Sequence, residues 1–177
     1  MENNTRKCYI ELLVDERSTE KILRFLKENE RLIQSPRKRF HSTLYYSNYT
    51  PIFERERIVD EIKDSLPLTI DPESYFFEMF GEGNCFDLRY ENKGVRLLKK
   101  KITQEGFRQL TGDFHSSLSD AEIEIQKKYK RQKKNKKTII YPIFNPHITL
   151  SNLFHGSLDT LSPFTEKITF DGFKWAI

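Results

Sequence analysis

Apolar residues along this chain alternate between two spacings. Residues 7–14 are mostly apolar and predict a buried strand. A helix follows, with Ser18 as its N-cap and Ile22, Leu23, Phe25 and Leu26 at helical spacing. Residues 40–47 are rich in aromatic and hydroxyl side chains and predict a strand. Pro51 opens a second helix carrying Ile52, Ile58, Val59, Ile62 and Leu66. Strands are expected over 67–80, with a break at Asp71-Pro72, and over 85–91, joined by a hairpin turn at Gly81-Glu82-Gly83-Asn84. A third helix covers 93–110. Residues 113–137 support two readings: Ser119 with Glu122 fits a capping box, while Ala121 to Ile125 alternates like a strand. A strand interrupted by Pro142 and Pro146 is expected over 138–151, and a last one over 168–177. No solenoid period is present. The class is α+β, with antiparallel strands and helices covering one face.

At 177 residues the chain fits one domain, 1–177, large enough to bury a core without disulfides or metals. Only 37% of it is hydrophobic, but 14 Phe and 8 Tyr supply bulky core material, which argues against wholesale disorder. No run of 18 apolar residues exists, so no membrane helix is expected. Residues 1–7 are polar and do not read as a signal peptide. Cys8 and Cys85 are too few for a disulfide scaffold and predict two buried free thiols in a reducing, cytoplasmic setting. The charge is uneven. Residues 127–137 carry eight basic side chains and no acid; without those eight the net charge of +4 becomes −4. Such a block is either a solvated segment or a phosphate-attracting arm.

All four histidines share one local form. His41, His115, His147 and His155 are each followed two positions later by Ser or Thr, and then by Leu. Backbone context separates them. On a strand, residues i and i+2 point to the same face, so His-x-Thr sets an imidazole beside a hydroxyl. His41 with Thr43, and His147 with Thr149, fall on expected strands. His115 lies between Gly112-Asp113 and a helix cap, and His155 precedes the turn signal Gly156-Ser157.

Phe40-His41-Ser42-Thr43-Leu44-Tyr45 and Asn145-Pro146-His147-Ile148-Thr149-Leu150-Ser151 resemble the paired motifs of the two-histidine (2H) phosphoesterase superfamily. LigT-like RNA ligases, cyclic nucleotide phosphodiesterases and viral 2′,5′-phosphodiesterases belong to it. The resemblance implies a bilobal fold: two antiparallel-sheet lobes with outer helices around a central cleft, each lobe giving one His and one Thr. The motifs lie 106 residues apart, longer than in compact members, and the excess is assigned to a basic insertion at about 111–140. On spacing alone His115, 74 residues after His41, rivals His147; strand context and the Pro-His-Ile-Thr wording favour His147.

The implied activity is that of a metal-independent phosphodiesterase acting on 2′-linked or cyclic phosphodiesters of a nucleotide or RNA. His41 and His147 divide acid and base work, and Thr43 and Thr149 bind the phosphate oxygens. By analogy with cyclic phosphodiesterases, His147 is the base and His41 the acid, in roles that exchange with substrate and direction. Arg39 and Tyr45 share the face of His41 if the strand stays regular, as Ser151 shares that of His147, and they are candidates for substrate binding. There is no phosphate loop of the GxxxxGK[ST] form, no HExxH and no paired-cysteine spacing, so no cofactor and no metal are expected. The expected state is a monomer with a nucleotide or RNA substrate and no membrane or obligate protein partner. Two alternatives stay open: a non-catalytic RNA- or nucleotide-binding module with the same cleft, and a broad-specificity enzyme against signalling nucleotides.

Overall fold

The computed structural model describes residues 8–47, 55–80, 85–111 and 144–176. The strands are β1 (Cys8–Val14), β2 (Ile33–Pro36), β3 (His41–Ser47), β4 (Leu68–Ile70), β5 (Phe76–Phe80), β6 (Cys85–Arg89), β7 (His147–Phe154) and β8 (Ile168–Ala176). The helices are α1 (Glu16–Glu28), α2 (Arg55–Ser65) and α3 (Lys93–Thr111), and short 3-10 turns cover Pro72–Ser74 and Leu158–Thr160. The strands form one antiparallel sheet in the order β4-β8-β1-β3-β7-β6-β5, with β2 also paired to β7.

Most expected elements occur within a few residues of their expected limits. The break at Asp71-Pro72 separates β4 from β5, and Phe80 pairs with Cys85 across the expected hairpin. Three differences have physical causes. Asp15, not Ser18, caps α1: its Oδ1 accepts the Ser18 backbone N–H at 2.7 Å. Ser18 is buried, and its Oγ accepts from the Thr169 backbone instead, tying α1 to β8. β2 carries little sequence signal, because it is four residues long, ends in proline and buries only Ile33. β7 begins only after Pro146, which has no N–H to give a ladder. Cys85 is a free, half-buried thiol rather than a fully buried one. His115, the 111–140 insertion as a whole and the basic block at 127–137 lie outside the described residues, apart from the Thr111 end of α3.

The buried hydrophobic residues form one core cluster. Ile22, Phe25 and Leu26 of α1 meet an aromatic chain in which Phe25 stacks on Phe77, Phe77 meets Phe86, and Phe86 meets Phe154 at 4.8 Å. Ile58 and Ile62 of α2 and Val95, Leu98 and Ile102 of α3 are also fully buried, as are Ile70, Tyr90 and Phe170. Burying one such side chain is worth about 1.5–3 kcal/mol, which favours this arrangement of elements. Among the described residues no helix is long and apolar enough to cross a membrane.

The two halves of the sheet join where β3 meets β7, through the pair Ser42↔Ile148. Both residues are buried. Ser42 Oγ and Tyr90 Oη are 2.7 Å apart in the interior, and Tyr90 is itself buried. Burial raises the Tyr90 phenol well above its usual range, so it stays neutral. Replacing Tyr90 with Phe leaves the Ser42 hydroxyl without this partner. The expected cost is about 1–3 kcal/mol in urea unfolding, and the Tyr90→Phe/Ser42→Ala double variant should lose less than the two single losses combined. Additive losses would show that the pair does not couple.

Candidate active site

The seam pair fixes which side chains face outward. Ser42 and Ile148 are buried behind the sheet, so His41, Thr43, His147 and Thr149 turn to the opposite face. All four are half-buried. Extending the antiparallel register by one residue sets His41 across from Thr149 and Thr43 across from His147. The two imidazoles and two hydroxyls thus form one cluster at the centre of the sheet, contributed by both halves.

Each motif ends at a bulge. Ile10 pairs with Tyr45 and Glu11 with Thr43, so Leu44 is an extra residue on β3. Phe86 pairs with Ser151 and Asp87 with Thr149, so Leu150 is an extra residue on β7. A bulge shifts the alternation by one position. Both Leu44 and Tyr45 are therefore buried, and so are both Leu150 and Ser151. The condition of a regular strand fails for Tyr45. Its ring is 8% exposed and lies 5.1 Å from the Lys99 ammonium on α3, away from the outward face of His41. Ser151 is fully buried, and its Oγ hydrogen-bonds the main chain of Leu153. Arg39 is exposed in the turn before β3, with no hydrogen bond or ion pair to it among the described residues.

The strands outside the seam add an acid to each motif. Glu11 stands opposite Thr43 and Asp87 opposite Thr149. His41 Nε2 is 3.4 Å from Glu11 Oε1, and His147 Nε2 is 4.0 Å from Asp87 Oδ2. Tyr9 completes the first half: its hydroxyl bonds Thr43 Oγ1 at 2.7 Å, and its ring meets His41 edge-on. His147 Nδ1–H donates to the Asn145 carbonyl at 2.9 Å, and Nε2 is the nitrogen on the Asp87 side of the ring.

The halves differ electrically. Burial lowers the pKa of His41 below the ordinary imidazole value. Glu11 pulls it back up, while the charges of Arg37, His147 and Lys174 push it further down. Asp87 is almost completely buried, and its Oδ1 has no hydrogen-bond partner. Burial raises its pKa, against the lowering effects of His147, a hydrogen bond from Thr149 and Arg37, while Glu78 adds to the rise.

Glu11, Asp87, Tyr9 and Arg37 are not among the site residues to which the sequence points. Glu11 and Asp87 are spaced along their strands like any alternating residue, and only cross-strand register reveals them. Arg37 is four positions before His41. Residues 37–40 lie between β2 and β3, so alternation back from His41 does not carry that far, and only the contact with Asn152 places Arg37.

No family model and no curated protein matches the sequence. Solved structures do. Over 96% of this chain and 86% of the other, the fold superposes on E. coli LigT in apo form with a TM-score of 0.55 and 14% identity. The same holds for E. coli LigT complexed with 3′-AMP, at 13% identity and a TM-score of 0.55 over 85% of that chain. The fold is that of LigT. An identity this low carries the LigT fold and nothing finer, so the chemistry rests on the residues above.

The Glu11 carboxylate beside His41 raises its pKa against the effect of burial. Removing it in Glu11→Gln should move the His41 titration, followed by the NMR signals of its ring C–H groups, to lower pH. An unchanged or higher midpoint would contradict the electrostatic account.

Proposed function

We propose that this protein is a metal-independent phosphodiesterase of the two-histidine kind, acting on 2′-linked or cyclic phosphodiesters of a nucleotide or RNA. The observation that carries the reading is the convergence of His41, Thr43, His147 and Thr149 on one face of a LigT fold. The complex of LigT with 3′-AMP supports a nucleotide as the ligand class. In this reading the two halves of the sheet serve as the two lobes of a cleft, and the scissile phosphate lies over the seam.

His41 acts as the base, the reverse of the assignment taken from analogy. Its neutral form is favoured by burial, and only a neutral imidazole can accept a proton. His147 acts as the acid. Its Nδ1–H is engaged with the Asn145 carbonyl, and the proton it gives comes from Nε2. On a 2′,3′-cyclic phosphate, His41 takes a proton from water as the water oxygen bonds to phosphorus. The P–O bond to one ribose oxygen breaks, and His147 protonates that oxygen. Thr43 donates to a non-bridging oxygen, and Thr149 does so once its hydroxyl turns from Asp87 to the substrate, where negative charge grows in the transition state.

His41→Ala and His147→Ala should each lower turnover by about 10²–10⁴-fold. Neither should shift the melting curve by more than about 1 kcal/mol, since half-exposed histidines support little packing. The substrate panel is 2′,3′-cyclic, 2′,5′-linked and 3′,5′-cyclic compounds read by mass spectrometry. Turnover that survives loss of both histidines would refute the proposal.

Activity should persist after exhaustive chelation, with a bell-shaped pH profile. The acid limb should fall below the ordinary imidazole value, because the base has a lowered pKa and stays neutral to lower pH. Activity lost to a chelator and restored by metal would overturn the mechanism.

The eight-charge block favours a second reading, a binding module that holds RNA without cleaving it. Tight RNA binding with no product at any pH would support that reading instead.

A further inference from the structure

Arg37 leads from β2 toward the first motif and is anchored on β7. Its backbone N–H donates to the carbonyl of Leu150, the bulge residue of β7, at 2.8 Å. Its side-chain Nε donates to Asn152 Oδ1 at 3.1 Å. The bulge at Leu150 turns Ser151 inward and makes Asn152 the next exposed residue after Thr149. The guanidinium is therefore held on the outward row of His147 and Thr149. The chain then runs directly into His41, on the row of the other half. The positive charge of Arg37 bears on Tyr9 and His41 of one half and on Asp87 of the other.

The approach to Arg37 is strained. Ser35 adopts a left-handed backbone with φ of 51°, and the β2–β7 register skips it between Gln34↔Leu153 and Pro36↔Ser151. A non-glycine residue there costs about 1–2 kcal/mol, and such strain clusters where a side chain must be aimed. Among the described residues, no hydrogen-bond partner meets Arg37 Nη1 or Nη2. A guanidinium with its Nε engaged and its terminal nitrogens available keeps a donor pair for phosphate oxygens. The Glu11 carboxylate flanks the cluster, so a phosphate ligand needs a fixed cation against its negative potential.

We infer that Arg37 is the cation that binds the non-bridging oxygens of the substrate phosphate across the seam between the two motifs. The inference deepens the phosphodiesterase reading and rests on its placement of the phosphate. It also gives the cleft a direction, because the guanidinium enters only from the β2 side.

The test is calorimetric binding of inorganic phosphate and of 3′-AMP to wild type, Arg37→Gln and Arg37→Lys, with a melting curve for each. Arg37→Gln should weaken both ligands by roughly ten- to hundredfold. Arg37→Lys should recover part of the loss, since it restores the charge without the two-pronged donor. Wild-type affinity in Arg37→Gln would overturn the inference. Equal losses in Gln and Lys would overturn it too, because charge would then not be what binds. These readouts need no turnover. A wild type that binds phosphate through Arg37 but forms no product would sink the enzyme reading alone. A wild type that turns substrate over with phosphate affinity indifferent to Arg37 would sink this inference alone.

Discussion

Everything at the candidate site follows from one antiparallel pair. Ser42 and Ile148 face each other in the interior where the two halves of the sheet meet. Strand side chains alternate, so burying these two forces their four neighbours to the opposite face. A slip of one residue on either strand would bury an imidazole and a threonine and expose a core residue. Ser42 is the polar member of the pair, and the Tyr90 hydroxyl satisfies it from the end of β6. The hydrogen bond fits the register in which the motifs face one another and would be broken in any other.

Two bulges limit what each motif can present. An unbroken β3 or β7 would carry the outward row on to Tyr45 and Ser151. The extra residues Leu44 and Leu150 end that row after the threonine and return two consecutive side chains to the core. On β7 the shift has a second effect, since it brings Asn152 outward to hold Arg37. A local irregularity that costs ladder hydrogen bonds thus converts a repeating strand pattern into a bounded cluster.

The halves are alike in register and unequal in electrostatics. Glu11 and Asp87 hold the same place relative to their threonines, yet Glu11 is partly exposed and Asp87 is not. Desolvation works against charge on both His41 and Asp87, lowering one and raising the other. Burial thus favours the neutral form of His41 in one half and of the Asp87 carboxyl in the other.

The alternating aromatic and hydroxyl pattern of β3, the helical spacing of Ile22, Phe25 and Leu26, and the Pro-His-Ile-Thr run before β7 were all legible in the sequence. Each is a local signal, set by the 2.0 and 3.6 periods of the backbone, and together they determined the element order and the two motifs. The signal failed where local rules compete. Ser18 and Asp15 are both good caps, and only the pull of β8 on the Ser18 hydroxyl decided between them. The bulges, the acids Glu11 and Asp87, and the Arg37–Asn152 contact are properties of how strands lie side by side. Register is a relation between residues far apart in the chain, such as Arg37 and Asn152. It is decided by which side chains the assembled core can bury, so only the tertiary structure carries it.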